Sequence, residues 1–255
     1  MTDFRVSPEQ VAFFRENGFV RIPQIISGQE VEYFRGLLER YLAEQAHTGL
    51  GQEAVLTQIV NHWRLQPAMR DLTFHPNVIA AAQQLAGVKL RLWHDQSLIK
   101  KPGGQPTEFH QGLPHWAIAK TEHPTSCWIA LCDVPARKGC MSFIPGSHRR
   151  RNLASKIDVS DPGCLFRQCP ELEYESFVSV PLRAGDCTFH HAVTAHAAHP
   201  NRTSEPRYAH VVNSVDLTTV YRAIPHKVTD GLNLSEGQLL EGELFPVLDE
   251  VLAAR

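Results

Sequence analysis

Histidine is the residue whose number and placement first suggest chemistry. The chain carries fourteen, and nine of them fall between His94 and His199. Imidazole is the commonest transition-metal ligand and titrates near neutral pH. Three segments concentrate these groups. The first runs from Trp93-His94-Asp95-Gln96 to Phe109-His110-Gln111-Gly112-Leu113-Pro114-His115-Trp116. The second joins Trp128-Ile129-Ala130-Leu131 to Gly139-Cys140-Met141-Ser142-Phe143-Ile144-Pro145-Gly146-Ser147-His148. The third joins Ala184-Gly185-Asp186 to His196-Ala197-Ala198-His199-Pro200-Asn201 and then Arg207. A lone histidine is usually a structural or surface residue, so the clustering is what singles out this region.

Taken in order, the three segments resemble the phytanoyl-CoA dioxygenase family of Fe(II)/2-oxoglutarate-dependent oxygenases. The resemblance rests on the Pro145-Gly146-Ser147-His148 turn, the 86-residue separation of His110 from His196, and Arg207 eleven residues further on. It implies a mainly β fold with flanking α-helices, a double-stranded β-helix (a jelly-roll, cupin-like barrel). It also implies Fe(II), 2-oxoglutarate and O2 as cofactors. By that resemblance His110 and His196 ligate the iron, and Arg207 grips the distal carboxylate of 2-oxoglutarate through a bidentate fork that lysine cannot reproduce. Trp128 matches a position that lines the cosubstrate pocket. A Ser or Thr that often follows two residues after the second ligand histidine is Ala198 here, which removes one expected hydrogen bond. His94, His115, His190, His191 and His199 are expected to be structural or to line the pocket, and His148 to be structural.

The metal triad of such oxygenases is two histidines and a carboxylate, H-x-D or H-x-E. Here His110-Gln111-Gly112 ends in glycine, and no histidine of the chain is followed two residues later by Asp or Glu. Gly112 leaves a coordination position and the volume beside it without a side chain. Water can fill both, and a halide can fill both while restoring a negative charge. H-x-G is the variant motif of the iron/2-oxoglutarate halogenases. The resemblance therefore implies a halogenase with Gly112 as its catalytic signature and chloride as a further cofactor. In such an enzyme 2-oxoglutarate is decarboxylated to succinate and CO2, hydrogen leaves an unactivated carbon, and the carbon takes up chloride. The protein's task is to hold that carbon nearer the halide than the competing hydroxide. Two alternatives stay open. One is a hydroxylase whose metal carboxylate has been replaced, for example by engineering. The other is a non-catalytic binding protein with a degenerate iron site, against which both histidines, Trp128 and Arg207 argue.

His94, Gln96, Phe109, His115, Trp116 and Phe189 are the candidate substrate-binding residues, with Leu113 and Thr194 beside them. Such a lining is polar and aromatic and suits a small polar metabolite better than a long acyl chain. Lys100, Lys101, Arg149, Arg150 and Arg151 would add a basic rim. A nucleotide or nucleoside stacked on Trp116 or Phe109 then fits best, with a free amino acid second. The expected partners are a small-molecule substrate and a halide ion.

The elements that position these residues follow from pattern. Ser7-Pro8-Glu9-Gln10 reads as a capping box for a helix that stops at Asn17-Gly18. Phe19–Pro23 reads as a strand. A second helix runs from Ser27 to about Ala46 and a third from Phe74 to Ala86. From Lys89 onward, short apolar runs between Pro/Gly turns predict barrel strands at Lys89–Lys100, Ser126–Val134, Phe177–Pro181, Asp186–Phe189 and Tyr208–Val215. Gln238–Leu252 predicts a final helix. The chain is expected to form a single domain over 1–255, helical over about 1–88, a barrel over about 89–226, and helical again over about 227–255. Its 255 residues are 43% hydrophobic and carry 25 basic against 27 acidic side chains, a net charge of −2. That balance disfavours a nucleic-acid polymer as partner, and no run is long and apolar enough to span a membrane. The N-terminal Met1–Arg5 segment lacks signal-peptide features, and the six cysteines form no C-x-x-C pair. A cytoplasmic setting with free thiols is expected.

Overall fold

The computed structural model describes residues 3–50, 55–150, 155 and 157–254. Met1, Thr2 and Arg151, which figure above, lie outside them. Two serines start the N-terminal helices. Ser7 Oγ accepts from Gln10 N while the Gln10 side chain accepts from Ser7 N at 2.9 Å, closing the expected capping box ahead of α1 (Pro8–Asn17). Ser27 and Glu30 repeat the device for α2 (Gly28–Glu44). Gly18 stops α1 at φ 79°, a left-handed conformation that glycine adopts without strain, and β1 (Phe19–Ile22) follows. The remaining helices are α3 (His62–Leu65), α4 (Arg70–Thr73), α5 (Pro76–Ala86) and α6 (Leu248–Ala253). The last of these is much shorter than the pattern predicts. Gly237 and Gly242 take positive φ, Pro246 interrupts the run, and Leu239 and Val247 instead bridge to Val220 and Arg91.

Among the described residues eleven further strands follow β1: β2 (Thr57–Val60), β3 (Leu90–Lys100), β4 (Thr107–His110), β5 (Ile118–Ala119), β6 (Thr125–Ala130), β7 (Met141–Phe143), β8 (Val178–Val180), β9 (Cys187–His191), β10 (His196–Ala198), β11 (Arg207–Asp216) and β12 (Val220–Tyr221). They form a six-stranded sheet, β1-β9-β6-β11-β3-β2, a four-stranded sheet, β4-β10-β7-β8, and a β5-β12 pair. The fold is mainly β with flanking helices, a double-stranded β-helix. No described helix is long and apolar enough to cross a membrane. The six cysteines are free and buried.

The large sheet has two dissimilar faces, as strand alternation requires. Cys127, Ile129, Cys187, Phe189 and Val212 face outward and pack with Phe14, Val31, Phe34, Leu38, Leu72, Ile79 and Leu85 of the helices. Trp128, His190, Val211 and Asn213 alternate with them and face the barrel interior. β3 changes parity part-way. Leu90 and Leu92 join the helix-side core, yet His94, Gln96 and Leu98 line the interior. The register with β11 slips between them, His94 facing Asn213 and Leu92 facing Ser214, so Trp93 is the extra residue of a β-bulge. Asp95 is thereby turned to the helix side, where its Oδ2 accepts from Trp63 N (3.0 Å) and Thr73 Oγ1 (2.7 Å).

Candidate active site

His110 and His196 face each other in register across β4 and β10. Their ring centroids lie 4.2 Å apart. Each ring has the same anchor: Nδ1 of His110 lies 2.8 Å from the Glu108 carbonyl, and Nδ1 of His196 lies 2.8 Å from the Thr194 carbonyl. A carbonyl only accepts, so in the neutral ring Nδ1 carries the hydrogen and Nε2 keeps its lone pair for a metal. Burial pushes both pKa values down, for His196 with added repulsion from His110. Neutral imidazole is the form that binds metal. Position 112 follows at once. Gly112 N and Leu113 N both donate to the Ala192 carbonyl, at 2.8 and 3.0 Å, and Gln111 Nε2 donates to the Val193 carbonyl at 3.0 Å. The turn carrying Gly112 is therefore clamped to the β9–β10 connection. Its backbone, φ −72° and ψ −44°, is ordinary right-handed conformation. A Cβ there would meet Ala192 O at 3.4 Å and Trp116 Cζ2 at 3.9 Å. Among the described residues no group of three or more His, Cys, Asp and Glu side chains is placed to hold a metal.

The cavity beside the histidines has a volume of about 640 Å³, within the range of small-molecule sites. At one part of its wall Arg207 is 1% exposed, its guanidinium lies 5.1 Å from the Trp128 ring centroid, and its Nη1 donates to the Gly139 carbonyl at 3.0 Å. Among the described residues Arg207 enters no ion pair. Burial lowers its pKa to about 10. A buried guanidinium without a carboxylate is suited to an anionic ligand, and the donor set of this pocket therefore fits a metal on two imidazoles plus a dicarboxylate.

Of the candidate substrate residues, His94, Gln96, His115 and Trp116 line the cavity. His94 Nε2 lies 3.0 Å from Asn213 Nδ2, and Asn213 Oδ1 accepts from Ser126 Oγ at 2.6 Å. Burial lowers the His94 pKa to about 3, with repulsion from His226 adding to it. Phe109 and Phe189 are corrections. Each precedes an inward-facing histidine, His110 or His190, so alternation turns it outward. Phe109 packs with its ring tilted against those of Phe166 and Phe177, and Phe189 is in the helix-side core. Leu113 and Thr194 also lie outside the cavity wall, Thr194 Oγ1 donating to the Gly18 carbonyl. Among the described residues the four expected rim cations do not line the cavity: Lys100 is buried, Arg150 pairs with Glu175, and neither Lys101 nor Arg149 reaches it, while Arg151 lies outside the described residues. His190 does line it, with its ring 4.6 Å from that of His196. His148, His191 and His199 make polar contacts with Arg15 O, Glu122 O and two serines, as structural residues do.

Sequence reasoning missed Ser126, Asn213, Thr107, Met141 and the stretch Pro225, His226, Lys227 and Asp230. For Asn213 a signal existed, since counting by twos from Arg207 gives 209, 211 and 213 on one strand face. The 225–230 stretch carries no pattern that would place it at the cavity.

A model of the phytanoyl-CoA dioxygenase family matches residues 14–209. Among solved structures, the non-haem alpha-ketoglutarate-dependent carbocyclase SnoK from nogalamycin biosynthesis is 35% identical, with a TM-score of 0.85 over 95% of this chain and 96% of that one. The epimerase SnoN, in complex with Fe3+, alpha-ketoglutarate and nogalamycin RO, is 32% identical with a TM-score of 0.75, over 94% and 97% of the two chains. A phytanoyl-CoA dioxygenase of Arabidopsis thaliana is 24% identical, over 83% of this chain and 89% of its own. The chain is thus a member of the phytanoyl-CoA dioxygenase family of iron- and 2-oxoglutarate-dependent oxygenases.

Proposed function

We propose that this chain is a halogenase that places chloride on an unactivated carbon of a small polar metabolite. The observation that carries the reading is Gly112. Its backbone conformation suits any residue, and a Cβ would meet only ordinary to slightly close contacts, so no folding demand explains a glycine there. What the glycine does is keep space open beside His110 and His196, and a halide fills that space and returns the missing negative charge. Iron with 2-oxoglutarate, O2 and chloride supplies, when bound, hydrogen abstraction and halogen transfer. The chain does the positioning. His110 and His196 present Nε2 to the metal, oriented by the Glu108 and Thr194 carbonyls. Arg207 and Trp128 take the distal carboxylate of 2-oxoglutarate, and the Fe3+ and alpha-ketoglutarate of the SnoN complex support that cofactor pair.

His94, Gln96, Ser126, Asn213, His115 and Trp116 present a polar, partly aromatic wall to the substrate. Lys227, Asp158 and Asp230 bring charges of both signs to it, beside the His226 imidazole. A nucleoside or nucleotide, its ring against Trp116, matches this lining. A second reading has a specific observation behind it, the 35% identity to a carbocyclase and 32% to an epimerase. In that reading, or in a hydroxylase, the same carbon loses hydrogen but no halide is transferred, and water takes the space at Gly112.

Product mass decides. Protein with Fe(II), 2-oxoglutarate and a panel of nucleosides, nucleotides and amino acids is run with and without chloride. A product that exchanges hydrogen for halogen, and does so with bromide as well, supports the halogenase. A product that at saturating chloride gains only oxygen, loses two hydrogens, or is an isomer replaces it with the second reading.

A further inference from the structure

The helix-side face of the large sheet buries polar groups that lie outside the candidate active site. Asp95 and Ser97 of β3 and His210 of β11 meet His62 of α3 and Thr73 of α4 there, and all five are fully buried. Their contacts form one line. His62 Nδ1 lies 2.7 Å from Ser97 Oγ, and Ser97 Oγ lies 3.0 Å from His210 Nδ1. His210 Nε2 lies 3.1 Å from Thr73 Oγ1, and Thr73 Oγ1 lies 2.7 Å from Asp95 Oδ2.

The carboxylate end fixes the direction of the line. A carboxylate only accepts, so Thr73 gives its one hydrogen to Asp95 and accepts from His210 Nε2. The neutral His210 ring then has a lone pair at Nδ1, which takes the Ser97 hydrogen, and Ser97 accepts from His62 Nδ1. His62 Nε2 is left with a lone pair and has no hydrogen-bond partner. Gln66 stands beside the His62 ring and favours its protonation. Its Nε2 donates to the Leu37 carbonyl at 3.3 Å, so it offers the ring Oε1, which is also without a partner.

The same skeleton holds a second arrangement. A proton from solvent settles on His62 Nε2. His62 passes its Nδ1 hydrogen to Ser97, Ser97 its own to His210 Nδ1, His210 its Nε2 hydrogen to Thr73, and Thr73 its own to Asp95. Every contact is kept with donor and acceptor exchanged. One proton has been gained, both rings are still neutral, and only the carboxylate has lost its charge.

We propose that this line is a proton-ordering switch behind the substrate wall, in which Asp95 changes charge while His62 and His210 exchange tautomers and stay neutral. Asp95 lies between His94 and Gln96, which line the cavity, so the switch adds or removes a negative charge directly behind them. Burial raises the Asp95 pKa to about 7 and lowers those of His62 and His210 to about 4 and about 3, so the carboxylate takes the proton before either ring becomes a cation. The ionisable groups on the elements packed around the line are Tyr41 on α2, whose ring lies 4.9 Å from that of His62, Arg70 on α4, whose guanidinium lies over the Trp63 and Phe74 rings, Cys127 on β6 and Tyr208 on β11. Among the described residues none of the four hydrogen-bonds to the line, and Tyr208 answers to Glu39 and Arg35 of α2.

Long-range proton–nitrogen NMR of the full-length protein, with nitrogen-15 in its histidines, reads which ring nitrogen carries hydrogen. Between about pH 8.5 and about pH 5.5, His62 should change from Nδ1–H to Nε2–H and His210 from Nε2–H to Nδ1–H, with one common midpoint near the Asp95 value of about 7. Asp95→Asn has no charge to neutralise. Its oxygen stays on Trp63 N, which donates to Oδ2 at 3.0 Å, so both rings should keep their high-pH tautomers throughout. Ser97→Ala cuts the line between the rings, which should no longer change together. Parent rings that hold one tautomer across the range, or that carry hydrogen on both nitrogens at about pH 5.5, overturn the proposal. A tautomer change that survives Asp95→Asn does so too, as does a common midpoint that survives Ser97→Ala. The parent titration decides by itself if either variant fails to fold.

Discussion

Replacing Arg207 by Met should separate folding from cosubstrate binding. A charged side chain that is 1% exposed normally belongs to the fold, and breaking a buried ion pair costs about 3–5 kcal/mol. Arg207 differs because its only described hydrogen bond is to the Gly139 carbonyl. Its pKa falls from 12.5 to about 10, so holding the charge in the apo protein costs about 3 kcal/mol, at 1.36 kcal/mol per unit. Methionine removes that cost. It also forfeits a charged hydrogen bond worth about 1.5–3 kcal/mol and the stacking on Trp128, about 0.5–2 kcal/mol. These nearly cancel, and the apo variant should lie within about 2 kcal/mol of the parent. Binding should behave otherwise. Two charged hydrogen bonds to a carboxylate at about 1.5–3 kcal/mol each imply an affinity loss of a hundredfold or more. With 2-oxoglutarate at about one hundred times the parent Kd, the Mn(II)-loaded parent gains about 2.7 kcal/mol and the variant about 0.4 kcal/mol or less. At about 2–4 °C per kcal/mol, the melting point of the parent rises by roughly 5–11 °C and that of the variant by about 1 °C. Differential scanning calorimetry with and without 2-oxoglutarate reads both halves. A variant that loses more than about 3 kcal/mol without ligand would show that Arg207 serves the fold, and a retained ligand-induced shift would show that another cation holds the cosubstrate.

Gly112→Asp should fold with near-parent stability, since a Cβ meets Ala192 O at 3.4 Å, and should bind Mn(II) at least tenfold more tightly while losing all dependence on chloride; unchanged metal affinity would place the new carboxylate away from the metal. His110→Ala and His196→Ala should each abolish metal binding in an equilibrium titration, and parent-like binding would remove that histidine from the ligand set. Stability should drop on acidification: His62 and His191 are pushed down to about 4, and His94, His190 and His210 to about 3, all by burial first. The unfolded chain takes up these protons as the pH falls through 6.5, and the fold does not until near 3–4, so the stability is whole above 6.5 and is lost progressively below it. Each group removes up to about 1.4 kcal/mol per pH unit. Asp95, pushed up to about 7 by burial, opposes one of them, because the fold keeps a proton there that the unfolded chain has released above 3.8. Urea midpoints at about pH 7.5 and 5.5 check this, and coincident midpoints would contradict it.

Much of the frame is legible in local chemistry. The Ser7 capping box, the helix start at Ser27, the Gly18 stop, β1 and the long strands β3 and β11 are predicted from short-range pattern, because each is decided by groups a few residues apart. The family resemblance that singles out His110, His196 and Arg207 likewise anticipates one cavity wall. What escaped has two physical causes. β4, β7 and β10 are three or four residues long and carry a single β-branched residue, Thr107, among His, Glu, Met, Ser, Ala and Phe, so composition hides them. The bulges at Trp93 and between β4 and β10 reverse alternation, so strict counting by twos from the outward-facing Leu92 puts His94 outside, and counting from His110 puts Thr107 outside. Phe109 and Phe189 show the converse: nearness in sequence to an inward histidine is not nearness in space, since successive strand residues point to opposite faces.

The clamp around position 112 has a consequence for how such a site can change over generations. Three hydrogen bonds from residues 111–113 to the Ala192 and Val193 carbonyls hold the turn, and none involves a side chain at 112 itself. The residue at that position can therefore be exchanged while its place in space stays the same. Every glycine codon is a single base from a codon for aspartate or glutamate. A lineage on this scaffold stands one nucleotide away from a different ligand set, and selection acting on the product of the reaction can cross that step without first repairing the barrel.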